Sequence, residues 1–497
     1  MNALVVVPVV VPLLAAALCM LVGRSRIAQR AVSITALTAS SAASVAVLVA
    51  VDRDGTLVVD AGGWGAPLGI VLVADRLAAI MLAIATVTLL LVLLYAIGQP
   101  GAERNHVGFQ SSYMVLSAGV ALSFLTGDLF TMFVGFEMML TASYVLMTLG
   151  GTRDQVRSGM TYVVISLVAS VLFVTALALI YTAAGTVNLA DLSERIPLLD
   201  EGVQRAIALL LLVVFGLKAA VFPLFFWLPD SYPTAPSPVT AIFAGLLTKV
   251  GVYALLRTQL LLFPPETRPD TILLWIAGLT MVIGVLGAVA QKDMKRILSF
   301  HIVSQIGYMV MGLALFTVAG VAAAIYFIVH QVVVKTALFL TGGLVEHVGG
   351  SSRLNRVGGL LGSAPVVAVL FLIPALSLAG FPPMSGFVGK FALLDAGVGD
   401  ASYWVVAAAV VAAFLTLFSM TKIWAGVFWS PKEREPVGDA QPVGRLGGPA
   451  LMVLPTAALV VITILLGVFA GPVYDVVTRA ATGLLDPAIY RAEVLGS

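Results

Sequence analysis

The sequence predicts an all-α polytopic membrane protein with about fourteen transmembrane helices. Of its 497 residues, 60% are hydrophobic and only 10% are charged, and the mean hydropathy is +1.07. Soluble domains carry roughly a quarter charged residues, so a soluble enzyme is excluded. The apolar runs are long and continuous, whereas membrane β-barrels consist of short alternating segments. The net charge of +2 argues against nucleic-acid binding, which needs a basic surface.

Fourteen apolar runs are long enough to form helices that cross the bilayer, which requires about 20 residues each. The predicted spans are 2–22, 31–51, 74–97, 109–126, 129–149, 158–183, 206–229, 238–262, 271–290, 296–316, 319–345, 364–395, 403–429 and 448–471. The polar stretches at 52–73, 184–205 and 430–447 are expected to be loops. A weak internal repeat relates a run from Tyr162 through TALAL to a run from Tyr326 through TALFL.

Loop charge predicts that both termini lie outside the cell, because inner loops are enriched in lysine and arginine. With this orientation the inner loops hold fourteen such residues, and the outer segments hold seven, including Arg257. The single cysteine, Cys19, cannot form an internal disulfide, a zinc site or an iron–sulfur cluster. We therefore expect no cofactor and no metal.

Six ionisable residues lie far from the ends of the predicted spans. They are Glu137, Lys218, Lys249, His330, Lys335 and Lys390. A charge at the bilayer centre costs about 2.5–3.5 kcal/mol even on the insertion scale, and such residues usually mark ion or proton traffic. We interpret the set as a proton pathway. The alternatives are a structural hydrogen bond from Glu137, a Lys249 side chain that extends towards the interface, and a structural role for His330.

Polar residues at helical spacing from these groups, or next to them, are expected to support the pathway. They are Thr141, Tyr144, Thr248, Tyr253, Tyr326 and Gln331. Charged residues closer to span ends, such as Asp75 and Glu346, are expected to have ordinary roles. Asp128 is expected to cap a helix, and His301 is expected in a loop or at a span end.

Two of the spans that carry these lysines are expected to be broken. Proline cannot donate a backbone hydrogen bond inside a helix, and one follows Lys218. The run 364–395 would be about 48 Å long as one helix, which exceeds the roughly 30 Å apolar core. Broken helices near the midplane are typical of transporters. The prolines expected to break the two helices are Pro223 in the first and Pro382 and Pro383 in the second.

No motif for nucleotide hydrolysis or electron transfer is present. The chain lacks a phosphate-binding loop, a dinucleotide-binding glycine pattern and a haem-attachment motif. Work must therefore come from an ion gradient or a partner. One carboxylate against four lysines suits protons better than sodium, which prefers oxygen ligands.

Six motifs give the chain a family resemblance. In chain order they are FEMML, GLKAAVFPLFFWLPDSYPTAPSPVTA, LLTKVGVYAL, KRILSFHIVSQIGYM, HQVVVKTALFL and LAGFPPMSGFVGKF. The chain resembles the antiporter-like membrane subunits shared by respiratory complex I and the multisubunit Mrp (Mnh, Sha) cation/proton antiporters. TGDLF and the ending LLDPAIYRAEVLGS are most similar to the D-type subunits.

The resemblance implies fourteen helices with two inverted five-helix repeats. It divides the chain into a three-helix segment at 1–108, a first repeat at 109–263, a second repeat at 271–429, and a loop, last helix and tail at 430–497. It also implies that Glu137 pairs with Lys218 and that a hydrophilic axis continues to Lys390. Some relatives have glutamate in place of Lys390, which leaves the chemistry at that end open.

The resemblance further implies a proton-translocating subunit of an Na⁺/H⁺ antiporter complex in the bacterial plasma membrane. Its partners would be other hydrophobic subunits of the Mrp A, B, C, E, F and G types, with protons and sodium as cargo. A proton-pumping subunit of a complex I-like oxidoreductase or a membrane-bound hydrogenase is the main alternative. Two further alternatives are a scaffold subunit whose hydrophilic axis carries no protons and a solute carrier.

Overall fold

The computed structural model describes residues 2–103, 108–431 and 448–496. Arg104, Lys432, Arg434 and Arg445, which contribute to the orientation prediction, lie outside the described residues, as does nearly all of the predicted loop 430–447. The first eleven helices are α1 (Asn2–Leu21), α2 (Arg26–Asp54), α3 (Arg76–Gly98), α4 (Gly108–Leu125), α5 (Leu129–Thr148), α6 (Arg153–Ala184), α7 (Leu189–Arg195), α8 (Glu201–Ala219), α9 (Trp227–Ser231), α10 (Ser237–Ile242) and α11 (Thr248–Leu261). The remaining helices are α12 (Asp270–Ala290), α13 (Met294–Ala314), α14 (Val318–Gly349), α15 (Leu360–Ser363), α16 (Pro365–Ala379), α17 (Ser385–Gly399), α18 (Tyr403–Trp424), α19 (Ala450–Val468), α20 (Ala470–Leu485) and α21 (Pro487–Leu495).

The predicted class, an all-α polytopic membrane protein, is confirmed. Within the described ranges, thirteen helices are long and apolar enough to cross a membrane, and one of them joins α10 to α11 through a π-helical turn at Phe243–Leu247. The fourteenth predicted span, 364–395, consists of the shorter helices α16 and α17. When the broken span is counted once with the thirteen long helices, the structure contains the fourteen apolar segments that the sequence predicts.

Both predicted helix breaks are present, and each helix ends before its prolines. Helix α8 ends at Ala219, and the next residue, Ala220, has a left-handed φ of 61°. Helix α16 ends at Ala379, followed by Gly380 with a φ of 87°. Proline disfavours helical geometry at the residue before it and lacks an amide donor, so each helix ends upstream of the proline. The first break is fixed by the amide of Phe222, which donates to Thr280 Oγ1 of α12 at 3.0 Å.

Polar side chains define where the helices begin, as the sequence predicts for Asp128. Its carboxylate accepts a hydrogen bond from the amide of Thr131 at 2.6 Å and so caps α5. Helices α6 and α14 are both 32 residues long, and each is followed by a glycine in the left-handed conformation, Gly185 and Gly350. Glycine adopts that conformation at no steric cost.

The expectation that 52–73 and 184–205 are plain loops is wrong. The first contains most of an antiparallel hairpin of β1 (Leu57–Asp60) and β2 (Val71–Ala74), and the second contains α7. Four-residue strands are too short for an alternating pattern to be recognised among apolar residues. The C-terminal helices α20 and α21, also not predicted, fold back over the bundle, where Arg479 pairs with Asp52 at 2.7 Å.

Three spans form the centre of the bundle. The most hydropathic window of the span containing α11 is 100% buried, and those of α13 and α14 are 94% and 89% buried. Helix α14 packs against α3, α10, α13, α16, α17, α19 and α20. The corresponding windows of α1, α6, α18 and α19 are only 33–39% buried, so these helices form the outer surface. The charged residues in the middle of α11 and α14 are therefore enclosed by protein, whereas Arg296, in the first turn of α13, is exposed.

Candidate functional site

Glu137 and Lys218 lie together, and a serine that the sequence analysis did not identify connects them. Lys218 Nζ is 3.9 Å from Glu137 Oε1. Ser170 Oγ, on α6, donates to Glu137 Oε1 and accepts from Lys218 Nζ at 3.2 Å. The side chain of Lys218 is 5% exposed, and its ammonium lies 5.5 Å from the centre of the Phe136 ring. The three side chains therefore form a continuous hydrogen-bonded unit.

The carboxylate end of this unit is near the surface of the protein. The Glu137 side chain is 32% exposed, and Thr141, one turn later, lies on the exposed side of α5. Tyr144 is half-buried. Helical spacing places these residues on one face, as predicted, and the structure directs that face partly outwards.

Lys249 is 1% exposed and lies next to the π-helical turn. Its ammonium donates to the carbonyl of Ala244 at 2.5 Å. Two glycines allow close approach of neighbouring helices. A Cβ on Gly251 would lie 2.7 Å from the Ala219 amide nitrogen at the end of α8, and one on Gly245 would overlap Thr336 Oγ1 on α14. Helix α11 is thus wedged between the helices that carry Lys218 and Lys335.

His330 and Lys335 are fully buried at the centre of α14. His330 Nδ1 is 2.9 Å from Ser385 Oγ, which is 3.2 Å from Ser377 Oγ across the break between α16 and α17. Lys335 Nζ has no hydrogen-bond partner within the described part of the chain. Lys249 and Lys390 are both close enough to act electrostatically on Lys335. Lys335 is therefore near a lysine of each half.

Lys390 is held by the end of the preceding helix. Its ammonium donates to the carbonyls of Leu378 at 2.8 Å and Ala379 at 3.2 Å, the last residues of α16. A helix C-terminus has a partial negative charge and free carbonyls, which favour a cation. The ammonium also lies 5.2 Å from the centre of the Tyr308 ring. The break in this span thus supplies the acceptors that Lys390 needs.

The remaining supporting residues have varied partners. Gln331 Nε2 donates to Gln305 Oε1 of α13 at 3.3 Å. Tyr326 Oη donates to the carbonyl of Leu466 at 2.8 Å. Thr248 Oγ1 is buried and has no hydrogen-bond partner among the residues that the structure describes. Of the supporting set, Gln331 is the residue that links two central helices by side chains.

Tyr253 belongs to a second buried cluster that the sequence analysis missed. Arg257, assigned above to an outer segment, is 2% exposed in α11 and pairs with Asp75 at 2.5 and 2.8 Å. Tyr253 Oη accepts from Arg257 at 3.1 Å, and the Tyr490 ring of α21 lies 5.3 Å from the guanidinium. Burial favours a neutral Asp75, but the guanidinium and the amide of Ala78 outweigh it and lower the pKa of this carboxyl. Asp75 caps α3 and is the partner of Arg257, which is more than an ordinary span-end role.

One further prediction, for a histidine, is wrong. His301, expected in a loop or at a span end, is fully buried in α13. Glu346 lies near the end of α14, as expected, where it pairs with Lys295 at 2.6 Å and accepts from Ser237 at 3.1 Å. A polar stripe, Tyr162–Ser166–Ser170, is present on α6 at four-residue spacing and could have indicated Ser170.

The arrangement suits transfer of protons between side chains. A carboxylate, a hydroxyl, four lysines and a histidine lie on helices that pack against one another. The acceptors of Lys249 and Lys390 are backbone carbonyls. Proton transfer between such groups requires that they approach closely and that each lysine can hold a positive charge inside the protein. The backbone carbonyls stabilise that charge.

Comparisons with known proteins place this geometry among antiporter-like subunits. The family model described as "NADH:quinone oxidoreductase/Mrp antiporter, TM" matches residues 126–416. The chain is 44% identical to the D-type subunit of the Na⁺/H⁺ antiporter of Alkalihalophilus pseudofirmus over 100% of both chains. Its fold matches a chain of the Mrp complex from Dietzia sp. with a TM-score of 0.90, 33% identity and full coverage of both chains. A chain of respiratory complex I from Thermus thermophilus matches with a TM-score of 0.81 and 26% identity, over 97% of this chain and 100% of that chain.

Proposed function

The chain belongs to the NADH:quinone oxidoreductase/Mrp antiporter family of membrane subunits, and from this we propose that it is the D-type subunit of an Mrp-type Na⁺/H⁺ antiporter. In this proposal it moves protons along Glu137, Lys218, Lys249, Lys335, His330 and Lys390. It is a secondary transporter subunit of the bacterial plasma membrane, not an enzyme. Its partners are the Mrp A, B, C, E, F and G types of subunit.

The observation that carries the proposal is the unit formed by Glu137, Ser170 and Lys218. A lysine that is 5% exposed is held at 3.9 Å from a carboxylate through a shared hydroxyl. A change in the charge of Glu137 changes the free energy of a proton on Lys218. The proton then passes to Lys249, which the Gly251 contact brings to the end of α8.

The second half of the pathway runs through α14 and the second broken helix. Lys335 is near both Lys249 and Lys390, and His330 connects to the break through Ser385. We infer that Lys390 passes protons to one side of the membrane or to a neighbouring subunit. The two 32-residue helices with glycine caps, and the two broken helices, support the two five-helix repeats at 109–263 and 271–429.

We infer that both termini lie outside. The basic residues of the inner loops support this orientation. The burial of Arg257 removes one cation from the outer count, and the burial of Lys295 removes one from the inner count, so the bias remains. Sodium transport through this chain itself is not part of the proposal. The lysine-rich row repels cations, so a sodium site is expected largely in another subunit.

A complex I-like oxidoreductase remains the second candidate, because the same residues would serve it. The higher identity to the antiporter subunit, 44% against 26%, favours the first. Purification of the native complex distinguishes them. Peripheral iron–sulfur subunits would support the second candidate, and only membrane partners would support the first.

The test of the proposal is sodium-driven proton movement in everted vesicles from a host that lacks its own Na⁺/H⁺ antiporters. Glu137→Ala and Lys218→Ala are expected to abolish exchange, while Val145→Ala, at an exposed apolar position of the same helix as Glu137, serves as the matched control. Co-purification of the other subunits verifies assembly of each variant. Full exchange in both variants, at normal assembly, contradicts the proposed pathway.

A further inference from the structure

We propose that His301 is a further proton-carrying residue, which connects Lys335 with Lys390 and is oriented by Ser419. This inference rests on the proposed function, because it adds a group to the same pathway. His301 lies in the second turn of α13, and none of its side chain is exposed.

The hydroxyl of Ser419 is the basis of the tautomer that we assign to His301. His301 Nε2 is 2.5 Å from Ser419 Oγ on α18, and Ser419 Oγ is 3.0 Å from the carbonyl of Thr416. With Ser419 donating to that carbonyl, it accepts a hydrogen bond from His301, so that Nε2 carries the hydrogen of the neutral ring. In this tautomer Nδ1 is a basic nitrogen without a hydrogen.

This basic nitrogen is buried and has no hydrogen-bond partner among the described residues. Burying an acceptor without a partner is unfavourable, and a residue that only held Ser419 would need no second nitrogen. Glutamine could supply the single donor that Ser419 receives. The unpaired nitrogen therefore indicates a side chain that binds a hydrogen-bond donor or a proton only transiently. The groups around His301 identify which of these it binds.

The neighbours of His301 are lysines of the proposed pathway. Both Lys335 and Lys390 are close enough to act electrostatically on the ring. Gln305, one turn after His301 on the same helix, accepts a hydrogen bond from Gln331, which lies one turn before Lys335. The face of α13 that carries His301 thus packs against the part of α14 that carries the pathway.

The proton balance of the step is simple. A lysine ammonium loses one proton, which Nδ1 gains, so that the lysine becomes a neutral amine while the ring becomes imidazolium. The imidazolium then returns that proton to the free amine of the other lysine. The total charge is unchanged throughout, and no oxidant or other reactant is required.

The decisive variant is His301→Gln, which keeps a donor for Ser419 but has no basic nitrogen. Sodium-driven proton movement in everted vesicles containing the full complex is expected to fall at least tenfold, since a positioned acid–base group contributes about 10²–10⁴-fold. Assembly and thermal stability are expected to match the wild type. Ser419→Ala, which frees the tautomer but keeps the ring, is expected to cause a smaller loss of about two- to fivefold.

His347→Gln is the matched control, because His347 is a half-buried histidine of α14 outside the pathway. If His301→Gln does not assemble, His301→Asn replaces it and is held to the same expectation. Wild-type exchange in an assembled variant that lacks the imidazole overturns the inference. Lys218→Ala is measured in parallel. If Lys218→Ala is inactive and His301→Gln is active, only this inference is overturned. Wild-type exchange in Lys218→Ala contradicts the proposed function itself.

Discussion

Replacing Ser170 by alanine is expected to uncouple Glu137 from Lys218 without unfolding the bundle. The hydroxyl donates to the carboxylate and accepts from the ammonium, so it is the shortest connection between them. Alanine leaves the two charged groups in place. The change therefore tests the connection and not the presence of either charge.

The size of the effect follows from the distances. At 3.9 Å, two unit charges attract by about 4 kcal/mol at an effective dielectric constant of about 20, and by about 1 kcal/mol in water. Because the Glu137 side chain is 32% exposed, the attraction lies between these limits. Hydrogen bonds to charged groups contribute about 1.5–3 kcal/mol. The loss of one such bond corresponds to a roughly 10- to 160-fold lower exchange rate if proton transfer to Lys218 limits it.

The assay is the initial rate of sodium-driven proton movement in everted vesicles, normalised to the amount of assembled complex. Thr175→Ala is the control, because Thr175 is exposed on the same helix and bonds only its own backbone, the carbonyl of Val171. Ser170→Thr keeps a hydroxyl and is expected to retain most of the rate. A wild-type rate for Ser170→Ala, or an equal loss for Thr175→Ala, would refute the reasoning.

Three further substitutions and one control variant test the packing and the ion pairs. Gly251→Ala places a Cβ 2.7 Å from a backbone nitrogen of α8, about 0.7 Å inside normal contact, so we expect about 1–3 kcal/mol of destabilisation, seen as a lower Tm in detergent. Gly202→Ala, with open space around it, should leave the Tm unchanged or higher. Asp75→Asn leaves Arg257 buried without its partner and should cost about 3–5 kcal/mol at pH 7. The pKa of Asp75 is lowered in the folded state. The stabilisation by its carboxylate is therefore complete above the unfolded pKa of about 3.9 and is lost as the pH falls through the folded pKa. The Tm difference between Asp75→Asn and the wild type should accordingly shrink below about pH 4. Asp230→Asn removes the exposed ion pair with Arg296 and should change the free energy of unfolding by at most about 1 kcal/mol. A larger loss would show that this pair stabilises the region after the first helix break.

The sequence was sufficient to predict the membrane class, the crossings and the lysines at their centre. Each of these signals is local: an apolar run about 20 residues long, a charge within it, or a proline beside it. Lys249 and Lys335, for example, stand in apolar surroundings that leave few explanations for a lysine. The pairing of Glu137 with Lys218 was predicted because the helical neighbours of Lys218 are apolar, which made Glu137 the natural partner, and the family resemblance implied the same pair.

What the sequence could not supply is which residues meet across helices. Ser170 is one of many serines, and its role depends on α6 crossing both α5 and α8. His301 was missed because it lies only two turns from the start of α13, where the sequence suggests a position near the membrane surface. In the structure, neighbouring helices bury this part of α13. Thr141 shows the converse limit, because helical spacing identifies a common face but not the direction in which that face points.

The hydrogen bonds of the buried lysines to main-chain carbonyls have a consequence for genetics. Ala244, Leu378 and Ala379 offer oxygen atoms that every amino acid possesses. A mutational scan that replaces side chains one at a time would therefore identify each lysine as essential. The carbonyl oxygen that accepts its hydrogen bond would not be detected. Only editing the peptide linkage itself, for instance by exchanging an amide for an ester at the following residue, would weaken those oxygens and reveal them.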